Sequence, residues 1–311
     1  MRARDRARGR ELDGALVAFN RQIHPLPGIN NSARREALVE QLIESIRRVR
    51  YIEVIQNYGI SELRADGASD IFDPLRAAVL RREQGELEDA FWLVFLSVHF
   101  GKHRRAGWRL AGDVYGCLGG RRTWNWERIS TDVAGFRRWI GAHQEDLKRD
   151  GVVYFGNHRK YETLKPESHR GTASVFDSYV NWIHPPRTHL ELVQAGADEV
   201  GDDPRDLFDY LYRSMNVLSF GRTAKFDYLT MLGKLRLARI EPGTPYLHGS
   251  TGPVKGARLL FGPNQGAPVR EEVLDARLVE LGNHLHVGMQ VIEDALCNWQ
   301  KHPNRFVPFR G

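Results

Sequence analysis

Cysteine is almost missing from this chain: Cys117 and Cys297 are the only two in 311 residues. Two thiols cannot make a disulfide framework or a thiolate metal site, so a reducing cytoplasm is the simplest setting. No apolar run reaches the ~18 residues of a membrane span, and no membrane partner is expected. The first ten residues hold five arginines with no apolar segment after them. That pattern argues against a secretory signal and suggests a basic arm over residues 1–31, solvated or touching DNA. There is no Cys-x-x-Cys and no His-Glu-x-x-His, and the 12 histidines are scattered. Zinc deaminase and metallonuclease chemistry is thereby excluded, and no metal or cofactor is expected, with a one-carboxylate magnesium site left open. A serine-hydrolase elbow is also missing. The glycine-rich stretch 249–262 fits neither a P-loop nor a dinucleotide fingerprint, and reads as turns or as a loop for close backbone approach. Long alternating runs are lacking, so strands should be few and short.

What is present is ordinary for a soluble globular chain: 41% hydrophobic and 27% charged residues, with a net charge of +6 and a pI near 9.4. The placement of the cations says more than their number. They gather at Lys102, His103, Arg104 and Arg105, at Arg121 and Arg122, and at His158, Arg159 and Lys160, each group bordered by glycine and aromatic residues. Such clusters suit a polyphosphate backbone with bases available for stacking, although any one of them can equally be a solvated face. DNA is the expected partner. Nothing implies a protein partner.

Helical periodicity dominates. Asn31 and Ser32 can cap a helix with Leu38, Leu42 and Ile46 on its apolar stripe, and Asp73 with Pro74 opens another that turns Leu75, Val79 and Leu80 inward. Residues 86–100 are the most apolar stretch and form a buried helix ending at Gly101. His99 at its end is expected to be a satisfied core histidine. Trp108, Leu110, Val114 and Tyr115 suggest a further helix, and Phe136, Trp139 and Ile140 share one side of a helix starting at Asp132. Residues 151–155, a short strand or extended loop, deliver Asn157, His158, Arg159, Lys160, Tyr161 and Glu162. Asn157 and His158 can meet a base edge, Arg159 and Lys160 a phosphate, and Tyr161 a stacked ring, or the loop is simply polar. Residues 172–182 look helical, and one amphipathic helix over about 269–300 closes the chain.

Two helices meet around residues 217–235. Leu207, Tyr210, Leu211 and Met215 mark the first, and Ala224, Leu229, Leu232 and Leu235 the second. Between them stands Gly221, followed by Arg222, Thr223 and Lys225. A glycine turn feeding a helix N-terminus presents unpaired N–H groups and a favourable dipole to a phosphate. The turn resembles the second half of the helix-hairpin-helix of DNA glycosylases, though it keeps one of the expected glycines and lacks the proline. In that superfamily a catalytic carboxylate follows the helix threonine, and counting on from Thr223 arrives at Glu241. Glu241 is the first candidate and Asp227, one helical turn after Thr223, the second. A solvated turn residue before Pro242 and a salt bridge to Arg222 or Arg213 are the respective alternatives.

Three segments together, 90–116 with its Phe-Gly-Lys-His-Arg-Arg-x-Gly-Trp-Arg-Leu core, 155–164, and 208–235 with Phe-Gly-Arg-Thr-Ala-Lys-Phe-Asp-Tyr-Leu, resemble clade three of the α-glutamyl/putrescinyl thymine pyrophosphorylase family. The resemblance implies a mainly α, two-lobed, DNA-glycosylase-like fold with a hairpin lobe over about 203–263. It also implies work on hypermodified phage DNA. Some members are named for installing thymine hypermodifications, and others are similar to an antiphage DNA glycosylase that removes α-glucosylated hydroxymethylcytosine. The expected activity is therefore excision of a hypermodified base, with a pyrophosphorylase-type enzyme and a non-catalytic DNA-binding module as alternatives. Bifunctional glycosylases place a nucleophilic lysine immediately before the helix threonine. Arg222 stands there in this chain and cannot be deprotonated to attack C1′, so a monofunctional enzyme is expected. Trp124, Trp126 and Tyr161 would wall an attached hexose.

Overall fold

A computed structural model describes residues 3–262 and 269–308. Among these residues the regular structure is helical, with two isolated β-bridges, His103 to Gly107 and Arg149 to Val152. Among the described residues no helix is long and apolar enough to cross a membrane. The chain divides into two compact units. One comprises Met1–Glu53 with Pro242–Arg310, and the other Val54–Glu241.

The first unit opens with α1 (Arg6–Gln22) and α2 (Ser32–Ile55), whose last turn crosses into the second. The expected basic arm is thus a helix over most of its length. Leu12, Leu16 and Phe19 recur every three to four residues and are buried, which sets their side of the helix into an apolar core despite the arginines.

The second unit runs α3 (Pro74–Glu83), α4 (Leu87–Phe100), α5 (Arg109–Tyr115), α6 (Trp126–Thr131), α7 (Val133–Ala142), α8 (Thr172–Ile183), α9 (His189–Val200), α10 (Pro204–Ser214) and α11 (Arg222–Lys234). Capping residues fix several starts. Asp73 accepts the N–H groups of Leu75 and Arg76, with Pro74 in the first turn, and Leu75 comes out half-buried where Ala77 and Ala78 take the core side. Helix α4 is apolar all round, with ten of its residues from Ala90 to Phe100 buried, apart from half-buried Val98, and it lies at the centre of this unit. Gly101 ends it at φ +64.

The chain then returns to the first unit through α12 (Gly252–Phe261), α13 (Glu271–Leu285) and α14 (Met289–Trp299). Two expectations are corrected here. The glycine-rich stretch is a helix, because its glycines serve packing. A Cβ on Gly256 would sit 2.5 Å from the Leu296 carbonyl oxygen, and one on Gly252 2.5 Å from Cys297 Sγ. The closing helix is two helices, broken at His286 in the left-handed region with φ +52. Its αL cap is a histidine rather than a glycine.

Candidate functional site

Gly156 begins the site. It approaches the end of α4 so closely that a Cβ there would lie 2.6 Å from the Gly101 carbonyl carbon, and its N–H donates to the Phe100 carbonyl at 2.7 Å. The chain turns as a 3-10 segment over Asn157–Arg159, Glu162 N–H donates to Arg159 O at 2.9 Å, and the Thr163 carbonyl accepts Thr172 N–H at 2.8 Å at the start of α8. The loop is therefore pinned to α4 at one end and to α8 at the other.

Arg159, expected on a phosphate, is instead 9% exposed. It donates Nε to Val98 O at 2.8 Å and Nη1 to Ser219 O at 3.1 Å, with its guanidinium 5.0 Å from the Phe220 ring centre. One buried cation thus ties α4 to the turn before α11. Phe220 stacks on Phe95 of α4 at 4.7 Å, and Leu218 N–H donates to Ser178 Oγ at 2.9 Å, so the turn is fixed from three sides. Ser219 carries the left-handed conformation, φ +59, while Gly221 is extended at φ −73 with open space around its Cβ position. The connection between α10 and α11 spans 215–221 and is longer than the turn expected from sequence.

Glu162 lies 3.8 Å from Arg159 Nη1, with its side chain 10% exposed. Burial raises its pKa, and Arg159, a hydrogen bond with Ser219 and the charge of Arg170 oppose that rise only in part. Burial also lowers the Arg159 pKa, against the pull of Glu162 and Asp227. Arg159 therefore feels the charge of two carboxylates, Glu162 and Asp227. Glu162 opens onto a cavity of about 380 Å³ shared with His103, Tyr154, Phe155, Lys160 and Thr163. A cavity of this volume suits a small ligand. Sequence reasoning passed over Glu162, although a lone acid three residues after Arg159 in a basic loop is a signal.

The other predicted residues divide. His103 and Lys160 line the cavity. His103 Nδ1 accepts the N–H groups of Arg105 and Ala106, Lys102 lies 6.0 Å from the Trp108 ring centre, and Arg104 and Arg105 are exposed. His158 is exposed, as is Tyr161, with Lys160 4.9 Å from its ring centre. The side chain of Asn157 lies outside the described residues. Arg222 packs over Phe226 at 4.7 Å, and Lys225 donates to Tyr212 O at 3.2 Å, its pKa lowered by burial. Asp227 is exposed on α11. Glu241 is exposed too, paired with Arg205 at 2.9 Å, its N–H donating to Pro204 O at the start of α10. It is not among the residues lining the cavity. Trp124 and Trp126 cannot wall a hexose, because both are buried; Trp124 packs edge-on to Phe136 and carries the Arg128 guanidinium 3.6 Å from its ring centre.

Behind the site runs a buried polar chain. Glu88 accepts from His189 Nδ1 at 2.7 Å, Nε2 meets the Tyr179 hydroxyl at 2.7 Å, and that oxygen meets Tyr228 OH at 2.7 Å. Burial lowers the His189 pKa, so the ring is neutral and carries one N–H. With that proton on Nδ1 toward the carboxylate, Tyr179 donates to Nε2 and Tyr228 donates to Tyr179. Tyr228 follows Asp227, so this chain fixes α11 from within.

These features define a mainly α-helical protein with a small cavity whose wall carries a half-buried carboxyl group beside a buried arginine. The chain belongs to the alpha-glutamyl/putrescinyl thymine pyrophosphorylase family, clade 3, whose model matches residues 33–311. No curated protein and no solved structure matches it.

Proposed function

We propose that this protein is a monofunctional DNA N-glycosylase that excises a hypermodified base from phage DNA, α-glucosylated hydroxymethylcytosine being the first candidate, and leaves an intact abasic strand. The observation that carries the reading is the Glu162 carboxyl group, held beside a buried arginine and facing a cavity with His103 and Lys160. The family name, which speaks of thymine, supports a nucleobase as substrate.

Cleavage of an N-glycosyl bond places positive charge on the sugar and negative charge on the departing base. A carboxyl group with a raised pKa keeps its proton to higher pH and can give it to the base as the bond to C1′ breaks. The Asp227 carboxylate, whose charge Arg159 feels, stabilises the cationic sugar, and water adds to C1′ as its proton passes to the Glu162 carboxylate left by the first step. Extrusion of the base costs a few kcal/mol, offset by phosphate contacts from Lys160, His103, Arg222 and the Lys102 to Arg105 turn. Glu241, reached by counting along the sequence, is the competing carboxylate.

The test is to incubate the protein with DNA carrying glucosylated hydroxymethylcytosine, ordinary cytosine or hypermodified thymine, and to identify released products by mass spectrometry. Free modified base from the wild type, lost in Glu162→Gln and kept in Glu241→Gln, is the expected result. Loss in Glu241→Gln alone moves the chemistry to that residue. The family name also favours a second reading, a pyrophosphorylase-type modifying enzyme. It requires an activated thymine and an amine donor, and releases diphosphate without free base. Release of neither product leaves a DNA-binding module.

A further inference from the structure

The second unit holds a larger cavity, about 540 Å³, whose lining includes Arg64, Asp73, Lys102, Trp108, Arg109 and Arg149. It neighbours the Glu162 cavity along the chain twice over: Lys102 lines one and His103 the other, and Arg149 lines one while Val152 lines the other. Four cations converge here. Asp113, with a side chain 5% exposed, lies 2.9 Å from Arg109 Nε and 3.5 Å from Arg149 Nη2, so one buried carboxylate holds two guanidinium groups side by side. Arg109 also pairs with Asp70 at 2.9 Å, and Arg64 donates to the Ile71 carbonyl at 2.8 Å, which keeps the flexible ends of both in place. Asp73 accepts from the first turn of α3. The three carboxylates do not balance the four cations, and an anion in the cavity relieves their mutual repulsion.

The wall is rigid. A Cβ on Gly67 would lie 2.7 Å from the Gly112 carbonyl oxygen, and one on Gly112 2.8 Å from the Gly67 carbonyl oxygen, so backbone meets backbone there. Trp108 adds an aromatic surface beside the cations.

We propose that this cavity is a nucleotide subsite, taking a phosphate among Arg64, Arg109 and Arg149 and a planar base against Trp108. Guanidinium forks match phosphate geometry, and an indole face accepts any base. The same chemistry arises from a nucleotide within a DNA strand or from a free one. The strand is favoured under the function proposed above, since adjacent residues line both cavities and a strand with one nucleotide extruded has its neighbours close by.

The experiment measures fluorescence anisotropy with a short fluorescein-labelled oligothymidylate, alone and annealed to its complement, over a salt series, with thymidine monophosphate as competitor. Arg64→Gln and Arg149→Gln are the variants, and thermal melting verifies that each is folded. Each variant is expected to bind about tenfold more weakly and to flatten the log–log salt slope by about one. Trp108→Ala should weaken binding without changing the slope. Competition by thymidine monophosphate that Arg64→Gln abolishes, with oligonucleotide binding unchanged, supports the subsite with a free nucleotide as its occupant. Folded variants that bind every probe as the wild type does overturn the subsite, as does a wild type that binds none. Base release by Glu162→Gln is scored separately, so a failure of the glycosylase reading leaves the anisotropy result standing.

Discussion

The two units bury different chemistry. In the first, the core is aliphatic, built on residues such as Leu12, Leu38, Leu278, Ile292 and Leu296 with a few rings, and its buried polar residues, Gln41, Ser45 and Asn298, are neutral. In the second, the rings of Phe91, Trp92, Phe95, Phe176, Tyr179 and Tyr228 pack together, and Asp89, His99, Asp113, Arg159 and His189 are buried in the same unit. Buried ionisable groups are costly unless each finds a partner. Here each has at least one: Asp89 accepts from Tyr115 OH at 2.7 Å and Trp126 N–H at 2.9 Å, His99 Nε2 meets Thr172 Oγ1 at 3.1 Å, and Arg159 serves two carbonyls. A unit organised for stability alone has no need of five such groups. Under the function proposed above, the chemistry belongs to the second unit.

Substitutions can break that contrast. The largest effect is expected from Glu162→Gln, which should lower base release by at least about a hundredfold while DNA affinity stays near that of the wild type. Single-turnover assays and anisotropy on the same preparation decide it. Next comes Leu278→Ala, fully buried in the first unit, expected to cost about 2–5 kcal/mol of stability and to leave the single-turnover rate unchanged wherever the protein remains folded. A rate that falls with it would mean that the aliphatic unit takes part in chemistry.

The pH dependence sharpens the contrast further. His99 and His189 are both held below their ordinary value of 6.5, chiefly by burial. A histidine with a depressed pKa is neutral in the native state, so its contribution is present above about pH 6.5 and is lost as pH falls below it and the unfolded chain takes up the proton. Melting temperature should therefore fall on the acid side of 6.5, and less so in His189→Gln. For activity the sign is opposite: Glu162 has a raised pKa, so rate should decline as pH rises and the carboxyl group loses its proton. The smallest effect is expected from Glu241→Gln, whose exposed pair with Arg205 contributes about 0–1 kcal/mol, measurable by denaturant unfolding.

Much of the fold was legible because local signals and tertiary structure agree. Asp73 and Pro74 start a helix, Gly101 stops one, and the apolar run between 87 and 100 has no alternative to burial. Where they disagree, sequence reasoning failed. Gly252 and Gly256 resemble loop glycines until α14 is seen against them, and Trp124 and Trp126 resemble ligand walls until their burial is known. At the site, the loop 157–162 and the turn before α11 could be chosen from composition, whereas the division of labour within them could not. Arg159 was expected outside and lies within, and Glu162 was overlooked beside it. Spacing alone led to Glu241, which the structure leaves exposed beside Arg205 and outside the lining of the cavity that Glu162 opens onto.

The contact between Gly101 and Gly156 limits how this protein can change. Under the function proposed above, selection for bulkier substrates cannot enlarge the cavity from beneath, because any side chain at either glycine would push the loop away from α4 and carry Glu162 with it. Variants with broadened tolerance should instead accumulate at the side chains of Val152, Val153 and Tyr154, which line the cavity.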